Sequence, residues 1–122
     1  MRVLVCGGRY YADRETLEWA LEPFSSPDTV IIHGDAPGAD FMADQWAYAR
    51  NIPVKIFSPD WEKHGRAAGP IRNQAMLDEG KPDLVIAFPG GRGTADMVRR
   101  ARAAGVKVIE VEKKGAHDKQ AP

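Results

Sequence analysis

Five short apolar runs, separated by segments of helical periodicity, restrict this chain more than any other feature. They are RVLVC (2–6), TVIIH (29–33), PVKIF (53–57), DLVIAF (83–88) and KVIEV (107–111). After the first, Asp13 is placed to cap a helix in which Leu17, Ala20, Leu21 and Phe24 repeat at helical spacing, stopped by Pro23 and SSPD (25–28). A second helix runs to about Arg50, with Ala39, Met42, Ala43, Trp46 and Ala49 as its buried stripe. The stretch 58–69 reads as a connection, and Pro70 suits the first turn of a helix ending near Glu79. A last helix spans Thr94 to Ala104 and is closed by Gly105.

Strands joined by helical crossovers pair in parallel and carry helices on both faces of the sheet. Runs that are apolar throughout, rather than alternating, fit strands buried on both sides. The fold class is therefore α/β, a Rossmann-like three-layer α/β/α sandwich of about five parallel strands. Orders 3-2-1-4-5 and 2-1-3-4-5 both satisfy the pattern. Only the first sets strands one and four side by side and brings the glycines behind them to one crevice, so the glycine distribution favours it. Residues 1–112 are expected to form one domain, with 113–122, which lack periodicity, as a flexible tail.

Charge narrows the function classes. Seventeen basic and seventeen acidic residues cancel, so no bulk positive field draws the chain to nucleic acid or an anionic membrane. Arg99, Arg100 and Arg102 share one helix, a run that ordinarily forms a solvated face. The one cysteine, Cys6, excludes an internal disulfide, and the three histidines make no metal-ligand pattern. No cofactor is implied. The opening residues lack the apolar core of a signal peptide and no run approaches a membrane span, so a cytoplasmic protein is expected.

The chemistry concentrates behind the strands. Gly7 and Gly8 follow the first, Gly34 the second, and Gly90, Gly91 and Gly93 the fourth. A strand, a glycine turn and a helix start present free backbone N–H groups backed by the helix dipole, which is an anion site. Thr94 adds a hydroxyl and could cap its helix, whereas the plainer reading makes these glycines tight turns only. Arg9, Arg72 and Arg92 lie at the same edge and could clamp phosphate, although Arg92 could equally point to solvent. Asp35 and Asp40, flanking Gly38, could take ribose hydroxyls, or Asp40 could be simply a first-turn acid. Tyr10, Trp61 and His64 could stack on a base or serve as packing. Cys6 reads as a small buried residue rather than a nucleophile. Neither the G-x-G-x-x-G spacing nor G-x-x-x-x-G-K-[ST] occurs, so dinucleotide folds of the common kind and P-loop triphosphatases are out.

Together CGGR (6–9), HGDAPGAD (33–40), WEKHGRAAGPIRNQAM (61–76) and FPGGRGTADM (88–97) resemble the SLOG superfamily, in its YspA/YpsA-related branch, over roughly residues 2–111. The resemblance implies a Rossmann-like domain that binds nucleotides or nucleotide-derived ligands, in several cases as a sensor, and pairing into homodimers. It also implies a relation to the LOG phosphoribohydrolases and to DprA. Those hydrolases carry P-G-G-x-G-T-x-x-E and an upstream R-K/N-x-x-M. Arg72, Asn73 and Met76 match the second pattern, and Pro89, Gly90, Gly91, Gly93 and Thr94 the first. The glutamate's position holds Met97, with Asp96 one residue earlier. Nucleotide binding is the leading expectation. The alternative is a nucleotide N-glycosidase with Asp96 as the acid and Arg72 as the phosphate anchor.

Overall fold

The computed structural model describes residues 1–113; the expected tail lies almost wholly outside the described residues. The strands are β1 (Arg2–Cys6), β2 (Val30–His33), β3 (Val54–Ile56), β4 (Leu84–Ala87) and β5 (Lys107–Glu110). All neighbours pair in parallel, in the order β3-β2-β1-β4-β5. The order favoured by the glycine distribution is thus the one adopted. Val5 lies opposite Ile86 and Cys6 opposite Ala87, so β1 and β4 end level. That register seats the chain after β1 against the chain after β4, where the Gly8 N–H donates to the Pro89 carbonyl at 2.8 Å.

The helices are α1 (Arg14–Leu21), α2 (Ala39–Ala49), α3 (Trp61–His64), α4 (Ala68–Asp78) and α5 (Arg92–Ala103). Val3, Val5, Ile31 and Ile86 point to one face of the sheet and meet Leu17 and Leu21 of α1 and Met42, Ala43 and Trp46 of α2. Leu4, Ile32, Val85 and Ala87 point to the other and meet Met76 and Leu77 of α4 and Met97, Val98 and Ala101 of α5. Period-two alternation along buried strands explains this division, since successive side chains of one strand feed opposite cores. Asp13 caps α1 as expected, accepting the Thr16 N–H at 3.1 Å.

Several local expectations need correction. The connection after β3 contains α3 and a 3₁₀ turn (Gly65–Ala67), elements too short to show periodicity in sequence. In α2 the last turn buries Ala47 and exposes Ala49, because the stripe follows i, i+4 from Ala39 and Ala43. β3 and β5 are only partly covered, as edge strands with one neighbour each. The last helix begins at Arg92, so Gly93 and Thr94 belong to its first turn and Gly91 takes the cap position without a side-chain bond.

Candidate functional site

At the carboxyl edge of the sheet an open cleft of about 1220 Å³ runs across the loops behind β1, β2 and β4. It lies where strand order reverses, the place where open α/β sheets bind ligands. Of the ligand-binding residues expected from sequence, Gly7, Gly8, Arg9, Gly34, Asp35, Asp40, Arg72, Asn73 and the whole of 90–94 line it; Gly38 does not. Trp61 and Tyr10 are on its walls, while His64 is not.

The glycines divide into two groups. Gly38 has φ +78°, and a Cβ there would stand 2.2 Å from the Gly8 carbonyl oxygen. A Cβ at Gly90 would fall 2.7 Å from the Gly8 nitrogen and 2.2 Å from the Thr94 hydroxyl oxygen. These two positions are glycine because the three loops interlock. Gly91 and Gly93 are different: a Cβ on either meets nothing within 4 Å. Their surroundings are the open cleft.

Around β2 the polar groups are committed to holding the loop. Asp40 is buried in the first turn of α2, and its Oδ2 accepts the N–H groups of Gly34 at 3.0 Å and Ala36 at 3.2 Å. Burial pushes its pKa up, opposed by the charges of His33 and Arg72 and by those two backbone donors. Asp35 stands in the left-handed region with φ 61°, its N–H donated to His33 Nδ1 at 3.0 Å. The other ring nitrogen of His33 meets Asp44 at 2.8 Å, which orients the imidazole. The Asp35 carboxylate is exposed and takes the Ser58 hydroxyl on one oxygen at 2.8 Å.

Arg72 reaches over this loop from α4. Its Nη1 donates to the Gly34 carbonyl and its Nε to Asn73 Oδ1 at 2.9 Å, which leaves Nη2 unspent. Burial pulls the guanidinium below its usual range, opposed by Asp40 and Asp35, and it remains a cation at neutral pH. Asn73 is itself buried and donates to the Gly93 carbonyl at 3.2 Å and to Asp96 at 3.0 Å. One amide side chain therefore ties the arginine to the first turn of α5.

In that turn the N–H groups of Arg92, Gly93 and Thr94 have no partner among the described residues; the first bond of the helix is Ala95 N–H to the Gly91 carbonyl at 3.0 Å. The Thr94 hydroxyl is folded back beside Gly90 rather than capping the helix. Asp96 accepts from Asn73, from Arg99, and from Arg100 Nε at 2.8 Å. Burial raises its pKa, but these donors overcome it and hold the carboxyl below the usual range. Met97, where the hydrolase pattern has glutamate, is 1% exposed and packs among Leu4, Cys6, Met76 and Ala87. The Cys6 thiol is buried and pushed up to about 12, with burial the main cause, so it is no nucleophile.

The basic run of α5 is occupied internally. Arg99 and Arg100 serve Asp96, and Arg102 meets Glu110 at 3.0 Å. Sequence reasoning missed Arg66, Gly69 and Pro70 on the cleft wall, contributed by the 3₁₀ turn and the start of α4. The signal was the polar, aromatic-led stretch WEKHGR, which was read as a connection. Among the described residues no group of His, Cys, Asp and Glu could hold a metal ion, and no helix is long and apolar enough to cross a membrane.

Residues 1–64 match the family described as YspA, cpYpsA-related SLOG family. The gene 61 protein of Mycobacterium phage D29 is 42% identical, over 88% of this chain and 94% of its own length. The X-ray structure of TM1055 superposes with a TM-score of 0.73 at 19% identity, covering 98% of this chain and 81% of that one. DNA processing protein A (DprA) from Streptococcus pneumoniae gives 0.56 at 16% identity, covering 88% of this chain and 58% of that one. At these identities the two solved structures share the fold, and this chain spans little more than half of DprA.

Proposed function

The chain belongs to the YspA, cpYpsA-related SLOG family, and we propose that it binds a nucleotide or nucleotide-derived phosphorylated molecule at the carboxyl edge of its sheet. The observation that carries this reading is the first turn of α5, where three partnerless N–H groups face a cleft that also receives Arg72. A phosphate there would take the N–H groups of Arg92, Gly93 and Thr94, with Nη2 of Arg72 as a charged donor. Gly91 and Gly93 leave room for it. Asn73 is the positioning residue, since it holds Arg72 and the turn together. The second oxygen of Asp35 is free for a ribose hydroxyl, and Tyr10 or Trp61 offers a face to the base. With the carboxylates of Asp40 and Asp96 held by donors of the chain itself, the site suits a sensor.

The second reading is an N-glycosidase using Asp96 and Arg72, favoured by their presence on one cleft. Against it, Asp96 is anionic at neutral pH and already receives three donors, so it has no proton to give and its carboxylate is largely committed within the chain. The glutamate's position holds Met97, an apolar side chain packed where the core meets the cleft.

Proton NMR of AMP and of ADP-ribose with the protein, over minutes and overnight, tests both readings. Broadened ligand lines without new signals are expected. Free base and ribose phosphate that vanish with Asp96→Ala would establish the hydrolase. Sharp, unshifted lines for both ligands would defeat nucleotide binding.

A further inference from the structure

Two aromatic rings stand uncovered on the same cleft. Tyr10, in the loop behind β1, is 90% exposed, and Trp61, at the start of α3 behind β3, is 56% exposed. Neither packs against another ring or cation of the chain among the described residues. Each has an arginine nearby in sequence that also lines the cleft and whose side chain has no partner among the described residues: Arg9 beside Tyr10, and Arg66 following Trp61. The indole is not adrift, because it lies over Gly69, where a Cβ would be 3.7 Å from the ring.

The strand order sets the separation of these platforms. The chain ends behind β3 and β1 are two strand spacings apart, about 10 Å, and the start of α5 behind β4 is one spacing further, about 14 Å from β3. The two rings thus stand behind different strands, with β2 between them. The cleft of about 1220 Å³ is also larger than the roughly 300–1,000 Å³ of ordinary small-molecule pockets.

From these observations we propose that the site takes a two-ended nucleotide, in which two base-bearing nucleosides are joined through a phosphate bridge. One base stacks on Tyr10 and the other on Trp61, with Arg9 and Arg66 flanking the bridge. The proposal rests on the nucleotide reading above and adds the second base. A single-stranded nucleic acid would offer bases and phosphates too, but the chain has no net charge and Arg99, Arg100 and Arg102 of α5 are engaged with Asp96 and Glu110.

Calorimetric titration of the full chain with AMP and with diadenosine pyrophosphate tests it. The dinucleotide should bind about tenfold more tightly or better, the size of one base-on-ring stack. Trp61→Ala and Tyr10→Ala should each bring the ratio of the two affinities close to one, with the wild-type Tm retained because both rings are exposed. Equal affinity for the two ligands in the intact protein would overturn the proposal, as would a ratio that neither variant moves. If AMP binds and the dinucleotide gains nothing, only the second base fails. If neither binds, the nucleotide reading falls with it. An oligodeoxyadenylate that binds more tightly than the dinucleotide, increasingly with length, would replace it with single-strand binding.

Discussion

Two strand-to-helix loops of this molecule look alike in sequence and behave differently in structure. GDAPGAD leads from β2 into α2, and PGGRGT leads from β4 into α5. Both follow a buried strand, both contain spaced glycines, and both open a helix of three turns. In the first, an acid in the first turn reaches back to bind the Gly34 and Ala36 N–H groups, and the Ala39 N–H donates to the Gly8 carbonyl at 3.3 Å. In the second there is no first-turn acid, and the N–H groups of residues 92–94 are left bare. A glycine-rich turn is an anion site only when the chain does not supply the anion itself. Here Asp40 takes up the loop N–H groups of Gly34 and Ala36, whereas no acid of the first turn does the same for the loop before α5.

Breaking the closed loop should have the largest effect. Gly38→Ala forces a Cβ against the Gly8 carbonyl at a φ that L residues rarely adopt, and is expected to cost about 2–3 kcal/mol in urea unfolding. Gly91→Ala, in open space, should stay within about 0.5 kcal/mol of wild type. If the two variants unfold alike, the division of the glycines is wrong.

Removing the charged donor above the open loop tests binding rather than folding. Arg72→Met keeps much of the buried stem and should weaken AMP by about ten- to a hundredfold, the loss of a charge-assisted hydrogen bond worth about 1.5–3 kcal/mol. An unchanged Kd in an NMR titration would separate Arg72 from the phosphate.

The comparison is sharpened by making the open loop resemble the closed one. Gly93 occupies the second helical position of α5, as Asp40 does in α2. Gly93→Asp should raise stability by about 1 kcal/mol, from helix propensity and the dipole, while weakening AMP about tenfold or more. Greater stability with intact binding would show that the ligand does not use this turn.

The smallest effect is a matter of pH. Asp96 has its folded pKa held below the unfolded value, near 3.8, so its stabilisation is complete above that value and is lost as pH falls through the lower, folded one. Asp40 works in the opposite sense: its raised pKa favours the folded state at acid pH, and that advantage fades as pH rises from about 3.8 through the folded value. Asp96→Asn should therefore destabilise by about 1 kcal/mol at pH 7 and by less at pH 3. A deficit of the same size at both pH values would mean that the carboxylate's charge contributes nothing.

Much of the fold was legible because it depends on local pattern. Buried runs such as RVLVC and LVIA report strands covered on both faces, and the glycines behind β1 and β4 selected the strand order that brings them together. The edge of the sheet was therefore known, and with it the glycines, Arg72 and Asn73 of the cleft. The roles of those residues were less accessible. Asp40 could be assigned to ribose or to its own turn until the positions of Gly34 and Ala36 were known, and Asp96 looked like an available acid until Asn73, Arg99 and Arg100 were placed around it. Arg66 was hidden in a stretch too short to carry a period.

By itself the sequence determined the alternation of strands and helices, the sheet order and the edge at which glycine, arginine and aspartate gather, because periodicity and turn chemistry are properties of neighbours along the chain. Tertiary structure alone decided which of those groups are already satisfied. Hydrogen-bond partners at Asp40, Asp96 and Arg72 come from residues up to 38 positions away, and only their meeting in space decides which of these side chains are already spent.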